Sequence, residues 1–276
     1  MDAERTPAVP PRIHPTALVD HAAELGPGVI VGPYAVVGPG ASIGEGTTLG
    51  AHAVVESGVV VGRHNAIGIG VVLGSRPQHR RFNDERSTLV VGDRNVFGEY
   101  ATASRGFGEG TRTEIGSDCY LMSYVHVGHD CRVGNAVTIT SGAGLAGYVS
   151  IDDGAYVGGM GGVHQFVRVG RLAIIGGVSM VRQDVPPYVL AAGVPARAHS
   201  LNGVGLRRAG VPQIHRRALR RAFSLLYLRG LGVPAAMEAI AAELGEDLYV
   251  RHLLDFLRSG SHKRGFVRWT RENRLD

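Results

Sequence analysis

Two histidines and an aspartate interrupt the apolar stretch Leu121–Gly134, which reads LMSYVHVGHDCRVG. A neutral imidazole takes up a proton near neutral pH, which suits it to act as a general base. Asp130 follows His129 directly. A carboxylate there can fix the imidazole tautomer or stabilise the imidazolium once it forms. His129 with Asp130 therefore points to general-base chemistry on this scaffold. Cys131 reads as a small wall residue.

The elements that carry this cluster keep a period of six. Ile13, Val19, Leu25, Val31, Val37, Ile43, Leu49, Val55, Val61, Ile67 and Leu73 are aliphatic and evenly spaced, and glycine follows most of them from Leu25 onward. Neither a helix nor an ordinary strand sustains a six-residue beat; a β-helix of hexapeptides does, three of them closing a coil of eighteen. The beat lapses from Gly74 to Val90 and around Phe107–Glu114, and elsewhere continues to Val181. The lapses are polar and read as loops projecting near 74–90 and 107–114. The reading is mainly β: a left-handed parallel β-helix over 13–190, roughly ten coils and ~45–50 Å long at the sheet spacing. Residues 1–12, with three prolines, read as a mobile leader.

After Pro186–Pro187 the pattern changes. Residues 191–276 read as a linker and a small C-terminal α-helical domain with a basic, frayed tail. Ala218, Ala222, Leu225, Leu226 and Leu228 suggest one helix face, with Arg216, Arg217, Arg220 and Arg221 along another. Further helices are expected at about 235–244 and 247–258. The 41 glycines, 6% aromatics and 19% charged residues also favour a repeat architecture. Two cysteines argue against a disulfide framework. No apolar run is long enough to span a bilayer, and the N-terminus lacks a signal-peptide core, so a cytoplasmic protein without stable membrane insertion is expected. The net charge of +5 admits an acidic partner. Nucleic acid is not expected, because the basic tail holds only two aromatics, Phe266 and Trp269, too few for a stacking platform.

Several motifs stand in order along this scaffold: IHPTALV at 13–19, GDRNVFGE at 92–99, HVGHDCRVGN at 126–135 and LAG at 145–147. GGVHQFVRVG at 161–170, QDVPPYVLAAG at 183–193 and N-x-x-G-L-R-R from Asn202 to Arg208 follow. Together they resemble the UDP-N-acetylglucosamine 3-O-acyltransferase family, which begins lipid A synthesis. The resemblance implies transfer of a 3-hydroxyacyl chain from acyl carrier protein, bearing it as a phosphopantetheine thioester, to a UDP-sugar. It implies no cofactor or metal, and a homotrimer with substrates in clefts between prisms. His129 becomes the general base and the backbone N–H of Gly147, one coil later, the oxyanion donor. His126, His164, Gln165 and Gln78 are implied to contact the sugar, its diphosphate or the acyl chain, and Asn202 and Arg208 to grip the nucleotide. Gly177 falls where the family sets acyl length; glycine there leaves the groove open to a chain of about C12 or longer. The arginines at 216, 217, 220 and 221, with Arg80 and Arg81, are candidates to dock the acidic carrier.

Three positions depart from the family pattern: Ser104 and Tyr148 stand where histidine is common, and Val204 replaces an acidic residue. All lie toward the sugar side, which leaves open an acceptor with an amine at its 3-position. An acetyl-CoA-dependent acetyltransferase shares the prism and the histidine base but lacks the VHQF–QDVPPY combination. A prism-based carbonic anhydrase needs a histidine pair spaced HxxxxH, and no two histidines here are five apart. A purely structural prism leaves the polar His129–Asp130 pair unexplained.

Overall fold

The computed structural model describes residues 9–260 and 264–269, and the chain divides into two compact units, 1–142 and 143–276. The expected boundary near residue 190 lies inside the second. Most of the expected leader lies outside the described residues. Pairing begins at Arg12–Ile13, and the Val9 carbonyl accepts the Gly28 N–H.

In the first unit each hexapeptide forms a two-residue strand, and successive coils stack into three parallel sheets. Arg12 pairs with Ile30 and Glu24 with Ser42, a step of eighteen residues. The chain is thus a parallel β-solenoid. The aliphatic residues of the six-beat point inward from Val31 onward, whereas Ile13 at the open end is 48% exposed. A second inward slot lies two residues before each: Val29, Ala35, Ala41, Ala53 and Val59 are fully buried. Each valine, leucine or isoleucine so buried contributes ~1.5–3 kcal/mol. Between the inward residues the coils approach closely. A Cβ on Gly44 would lie 2.6 Å from the Gly62 carbonyl carbon, so only glycine fits that slot.

The inward slot at one corner is polar. The Thr47 hydroxyl accepts the Asn65 N–H (3.1 Å), the Asn65 amide oxygen accepts the Asn95 N–H (2.8 Å), and that of Asn95 accepts the Cys119 N–H (2.8 Å). These buried amides satisfy one coil's backbone with the previous coil's side chain.

Two longer connections interrupt the coils. Strands Val72–Ser75 and Thr88–Val91 bracket the first, Thr102–Ser104 and Arg112–Ile115 the second. They lengthen the coil step from eighteen residues to thirty (Ala66 to Val96) and twenty-four (Val96 to Tyr120). It returns to eighteen at Glu114 and Arg132. The excesses of twelve and six are multiples of the repeat, which is why the beat resumes in phase.

The second unit continues with parallel two-residue strands from Gly144–Leu145 to Met180–Val181. The segment expected as a linker is instead ordered. Val189–Gly193 pairs in parallel with Ile174–Ile175 and antiparallel with Ala196–Leu201. This hairpin leads into α1 (Gly203–Arg208), α2 (Gln213–Phe223), α3 (Val233–Leu244) and α4 (Leu248–Arg258). The helical core gathers Tyr188, Leu206, Leu219, Leu226, Ile240 and Leu254.

The buried face of α2 differs from the sequence expectation. Leu219 and Phe223 are buried, while Leu228 is 51% exposed. Ser224–Leu228 forms a π turn, whose wider winding rotates Leu228 outward. The tail differs too. Asp184 forms a bridge with Phe266 and Ala198 with Trp269, so residues 264–269 are packed; 261–263 and 270–276 lie outside the described residues.

Candidate active site

His129 and Asp130 occupy the turn between strands His126–Val127 and Arg132–Val133. In regular coils the His129 position holds residues such as Pro27, Pro33 and Pro39, and the Asp130 position takes left-handed backbone. Asp130 has φ 55°, but so do its turn equivalents Asp118 (60°) and Tyr124 (62°). The conformation therefore belongs to the scaffold, and only the side chains are special to this turn.

The geometry fixes the histidine. His129 Nδ1 lies 2.8 Å from Asp130 Oδ2, with the two side chains 13% and 10% exposed. A carboxylate only accepts, so Nδ1 carries the proton and Nε2 is the basic nitrogen of the neutral ring. Asp130 is itself held. Oδ2 also accepts the Phe107 N–H (2.9 Å), and the Asp130 N–H donates to the Thr113 hydroxyl (2.8 Å). Cys131 is fully buried in the small inward slot, a wall residue as expected.

Both loops fold back over this turn. The His79 ring lies 4.2 Å from that of Phe107 and 5.9 Å, edge-on, from His129; Phe107 is 5.6 Å from His129. His79 Nδ1 accepts the Arg81 N–H (3.2 Å), leaving the proton on Nε2 in the neutral form. Arg105 is only 17% exposed. It faces Asp84 at 3.9 Å and lies over Phe82 at 5.4 Å, and its buried Nε has no hydrogen-bond partner among the described residues. Sequence reasoning missed His79, Phe107 and Arg105 as site residues. The lapses in the beat marked their loops, but nothing in the lapses said which side chains return to His129. Gln78 is exposed on the first loop.

His126 sits in the same wall, its Nδ1 2.8 Å from the Thr102 hydroxyl. Burial, then the neighbouring His129, lowers its pKa below the ordinary 6.5. The folded protein therefore resists a proton that the unfolded chain accepts near that value. Stability is full above 6.5 and falls as the pH drops below it, toward the folded-state pKa. His126→Asn is expected to flatten this part of the acid side of a Tm-against-pH curve. An unchanged slope below 6.5 would remove His126 as its source.

In the second unit, Gly147 and Gln165 take the same turn position as His129 in successive coils, and the Phe166 N–H donates to the Gly147 carbonyl (3.3 Å). His164 is half-buried, and its Nδ1 donates to the Gln165 carbonyl (3.3 Å), so its neutral ring presents Nε2 as acceptor. Gly177 is exposed, and a Cβ there would meet only the Gly159 backbone, its carbonyl oxygen at 3.4 Å and its nitrogen at 3.9 Å, which are ordinary contacts. Asn202 has work inside the fold. Its amide oxygen caps α1 at the Gly205 N–H (2.7 Å), and its amide nitrogen donates to the Leu172 carbonyl (2.8 Å). Both ends of the amide thus aim α1, the helix that carries Arg208. Arg208, on α1, is exposed.

The three departures have distinct settings. Ser104 is buried, 3.3 Å from the Ser75 hydroxyl. Tyr148 stacks on Phe166 at 4.8 Å, and Val204 is 49% exposed on α1. The basic patch narrows. Arg221 makes a bidentate pair with Glu243 (2.7 and 2.8 Å) and Arg216 is half-buried, whereas Arg217, Arg220, Arg80 and Arg81 are exposed.

Residues 184–267 match the family described as UDP N-acetylglucosamine O-acyltransferase, domain 2. Residues 112–147, which hold His129, match the bacterial transferase hexapeptide family. An acyl-[acyl-carrier-protein]–UDP-N-acetylglucosamine O-acyltransferase of Paraburkholderia phymatum is 45% identical over 262 residues, 93% of this chain and 99% of that protein. The crystal structure of the UDP-N-acetylglucosamine O-acyltransferase of Moraxella catarrhalis superposes with a TM-score of 0.88 at 35% identity, over 93% of this chain and 99% of that one. The Francisella novicida UDP-N-acetylglucosamine acyltransferase also superposes with a TM-score of 0.88, at 33% identity over 93% and 94% of the two chains. Near-complete coverage at this identity takes in both the solenoid and the helical region: the chain belongs to the UDP-N-acetylglucosamine O-acyltransferase family.

Proposed function

We propose that the chain transfers a 3-hydroxyacyl group from acyl carrier protein to the 3-hydroxyl of UDP-N-acetylglucosamine, the opening step of lipid A synthesis. The observation that carries this reading is the His129–Asp130 pair, whose hydrogen bond makes Nε2 the basic nitrogen. Nε2 takes the sugar hydroxyl proton as the oxygen attacks the thioester carbonyl carbon. The carbonyl pair moves onto oxygen and returns as the C–S bond breaks. The imidazolium then passes its proton to the departing thiolate, so the base is regenerated. Asp130 stabilises the charged ring. The Gly147 N–H is assigned to the oxyanion on the eighteen-residue spacing from His129. His126, His164, Gln165 and Gln78 are assigned to substrate contacts, and Arg208 to the diphosphate, where a guanidinium can bond two oxygens. Asn202 is assigned with Arg208 to the nucleotide, and its side chain also caps α1.

The exposed cations Arg217 and Arg220, and separately Arg80 and Arg81, are offered to the acidic carrier. A homotrimer is supported by one sheet of the first unit, whose outward positions Ile30, Val96 and Tyr120 are 38–45% exposed. A second sheet turns Glu24, Glu114 and Arg132 outward beside the apolar Val60. Among the described residues no helix is long and apolar enough to cross a membrane, and we place the reaction in the cytoplasm, with its carrier and nucleotide substrates.

The test is a mass-spectrometric transfer assay with UDP-N-acetylglucosamine and carriers of graded 3-hydroxyacyl length, on protein whose solution mass is three times 29.2 kDa. Product one acyl group heavier is expected, best with chains of about C12 or longer. In Gly177→Met the optimum should shorten by several carbons, because each methylene refused by a filled groove costs about 1–3 kcal/mol. Product only from the 3-amino sugar, or only from acetyl-CoA, would reassign the acceptor or the donor. An unshifted optimum in Gly177→Met would remove Gly177 as the length determinant.

A further inference from the structure

The helical part of the second unit, with the packed segment up to Trp269, surrounds a cavity of about 930 Å³. None of the residues assigned to acyl transfer lines it. Its apolar walls include Leu226, Leu231, Met237, Leu257, Phe266 and Trp269, a mix of aliphatic, thioether and aromatic groups typical of a small-molecule site. Tyr227 also lines it. The Tyr227 hydroxyl is buried with no hydrogen-bond partner among the described residues, and burial pushes its pKa up, which keeps the phenol proton in place as a donor. The charges at the cavity are two arginines, Arg258 and Arg268, against one carboxylate, Glu238. Both arginines are exposed at their outer ends, and Arg258 has one weak pairing, to Asp255 at 3.4 Å.

An apolar hollow with a cationic margin suits one kind of occupant. We propose that this cavity binds an anionic amphiphile with a single linear alkyl chain. The chain lies among Leu226, Met237 and Leu257, and the acidic head lies at Arg258 and Arg268. The chain's own neighbouring stretches are a poor match. Residues 261–263 and 270–276 carry one large aliphatic side chain between them, Leu275, among mostly charged or polar residues. The site is separate from the acyl-transfer residues, so the proposal stands or falls independently of the assigned reaction.

Trp269 is the only tryptophan in the chain and lines the cavity, which makes it a built-in reporter. The full-length protein would be titrated with sodium dodecanoate below its micelle concentration while Trp269 emission is followed, with dodecanol as the uncharged control. A saturable change with one ligand per chain is expected. It should weaken about tenfold or more in Arg258→Glu/Arg268→Glu, as loss of a charge-assisted contact predicts. It should vanish in Ala241→Phe, which fills the hollow, and persist in His129→Ala. No saturable change, or dodecanol binding as tightly as dodecanoate, overturns the proposal. So does a signal retained in Ala241→Phe, which places the ligand elsewhere. Trp269 already shielded from acrylamide and indifferent to dodecanoate means that the terminal segment covers the hollow, and also overturns it.

Discussion

His129→Ala is expected to lower kcat/KM for acyl transfer by roughly 10²–10⁴-fold, the usual worth of a general base, while leaving Tm close to that of the parent. The two readouts separate chemistry from folding. The His129 side chain projects from a turn, and the coil beneath is held by Val127 and Val133, both buried, so alanine leaves the wall intact. Asp130→Asn provides the graded comparison. Asp130 Oδ2 accepts both from His129 Nδ1 and from the Phe107 N–H. An amide keeps the size but loses the charge that steadies the imidazolium. Its activity should lie between parent and His129→Ala. Activity of His129→Ala within about threefold of parent, at equal Tm, would remove His129 from the chemistry.

The largest stability effect is expected far from that turn. Asp184 is 1% exposed, and its two oxygens accept from the Arg168 backbone N–H and from Arg168 Nε, each at 2.9 Å. Arg168 continues to the Phe256 carbonyl (3.0 Å) and the Ser259 hydroxyl (3.1 Å), and its guanidinium lies 4.1 Å over the Phe256 ring. The Asp184 backbone in turn takes the Gly265 carbonyl and the Val267 N–H, each at 2.9 Å. One buried ion pair thus ties the last solenoid strands to α4 and to the terminal segment. Asp184→Ala leaves a guanidinium without its counter-charge and is expected to cost about 3–5 kcal/mol in urea unfolding. Asp184→Asn, which can still accept one bond, should cost less. A loss under about 1 kcal/mol in Asp184→Ala would mean that water replaces the carboxylate without penalty.

The large inward residues were legible in the sequence because every coil demands one aliphatic side chain at the same phase. The companion slot at Val29, Ala35 and Ala41 was not, since small residues are common everywhere and carry little periodic signal. Between Val189 and Leu201 the hairpin passed for a linker. Its strands are short, and Gly193 and Pro195 punctuate them like a loop. Gly265–Trp269 passed for a frayed tail because its arginines hide the pairing of Phe266 with Asp184 and Trp269 with Ala198. At the candidate site, His129 and Asp130 stood out as polar residues in an aliphatic beat. His79 and Phe107 reach them through loop paths that have no period, so local pattern could not place them. Asn202 shows another limit: its motif does not reveal that the side chain also caps α1 at the Gly205 N–H.

The two loops over His129 also bear on how the chain finds its structure. In a regular coil each new strand closes a loop of eighteen residues onto the one before, so ordering can spread from neighbour to neighbour with only short-range searches. The loop-bearing coils ask for closures of thirty and twenty-four residues. Because closure entropy grows only with the logarithm of length, the longer of these adds about 0.5 kcal/mol. That is less than the burial of one valine. A winding front moving along the solenoid would thus barely slow where it crosses the loop-bearing coils, and loops of this length can be inserted there at almost no kinetic expense.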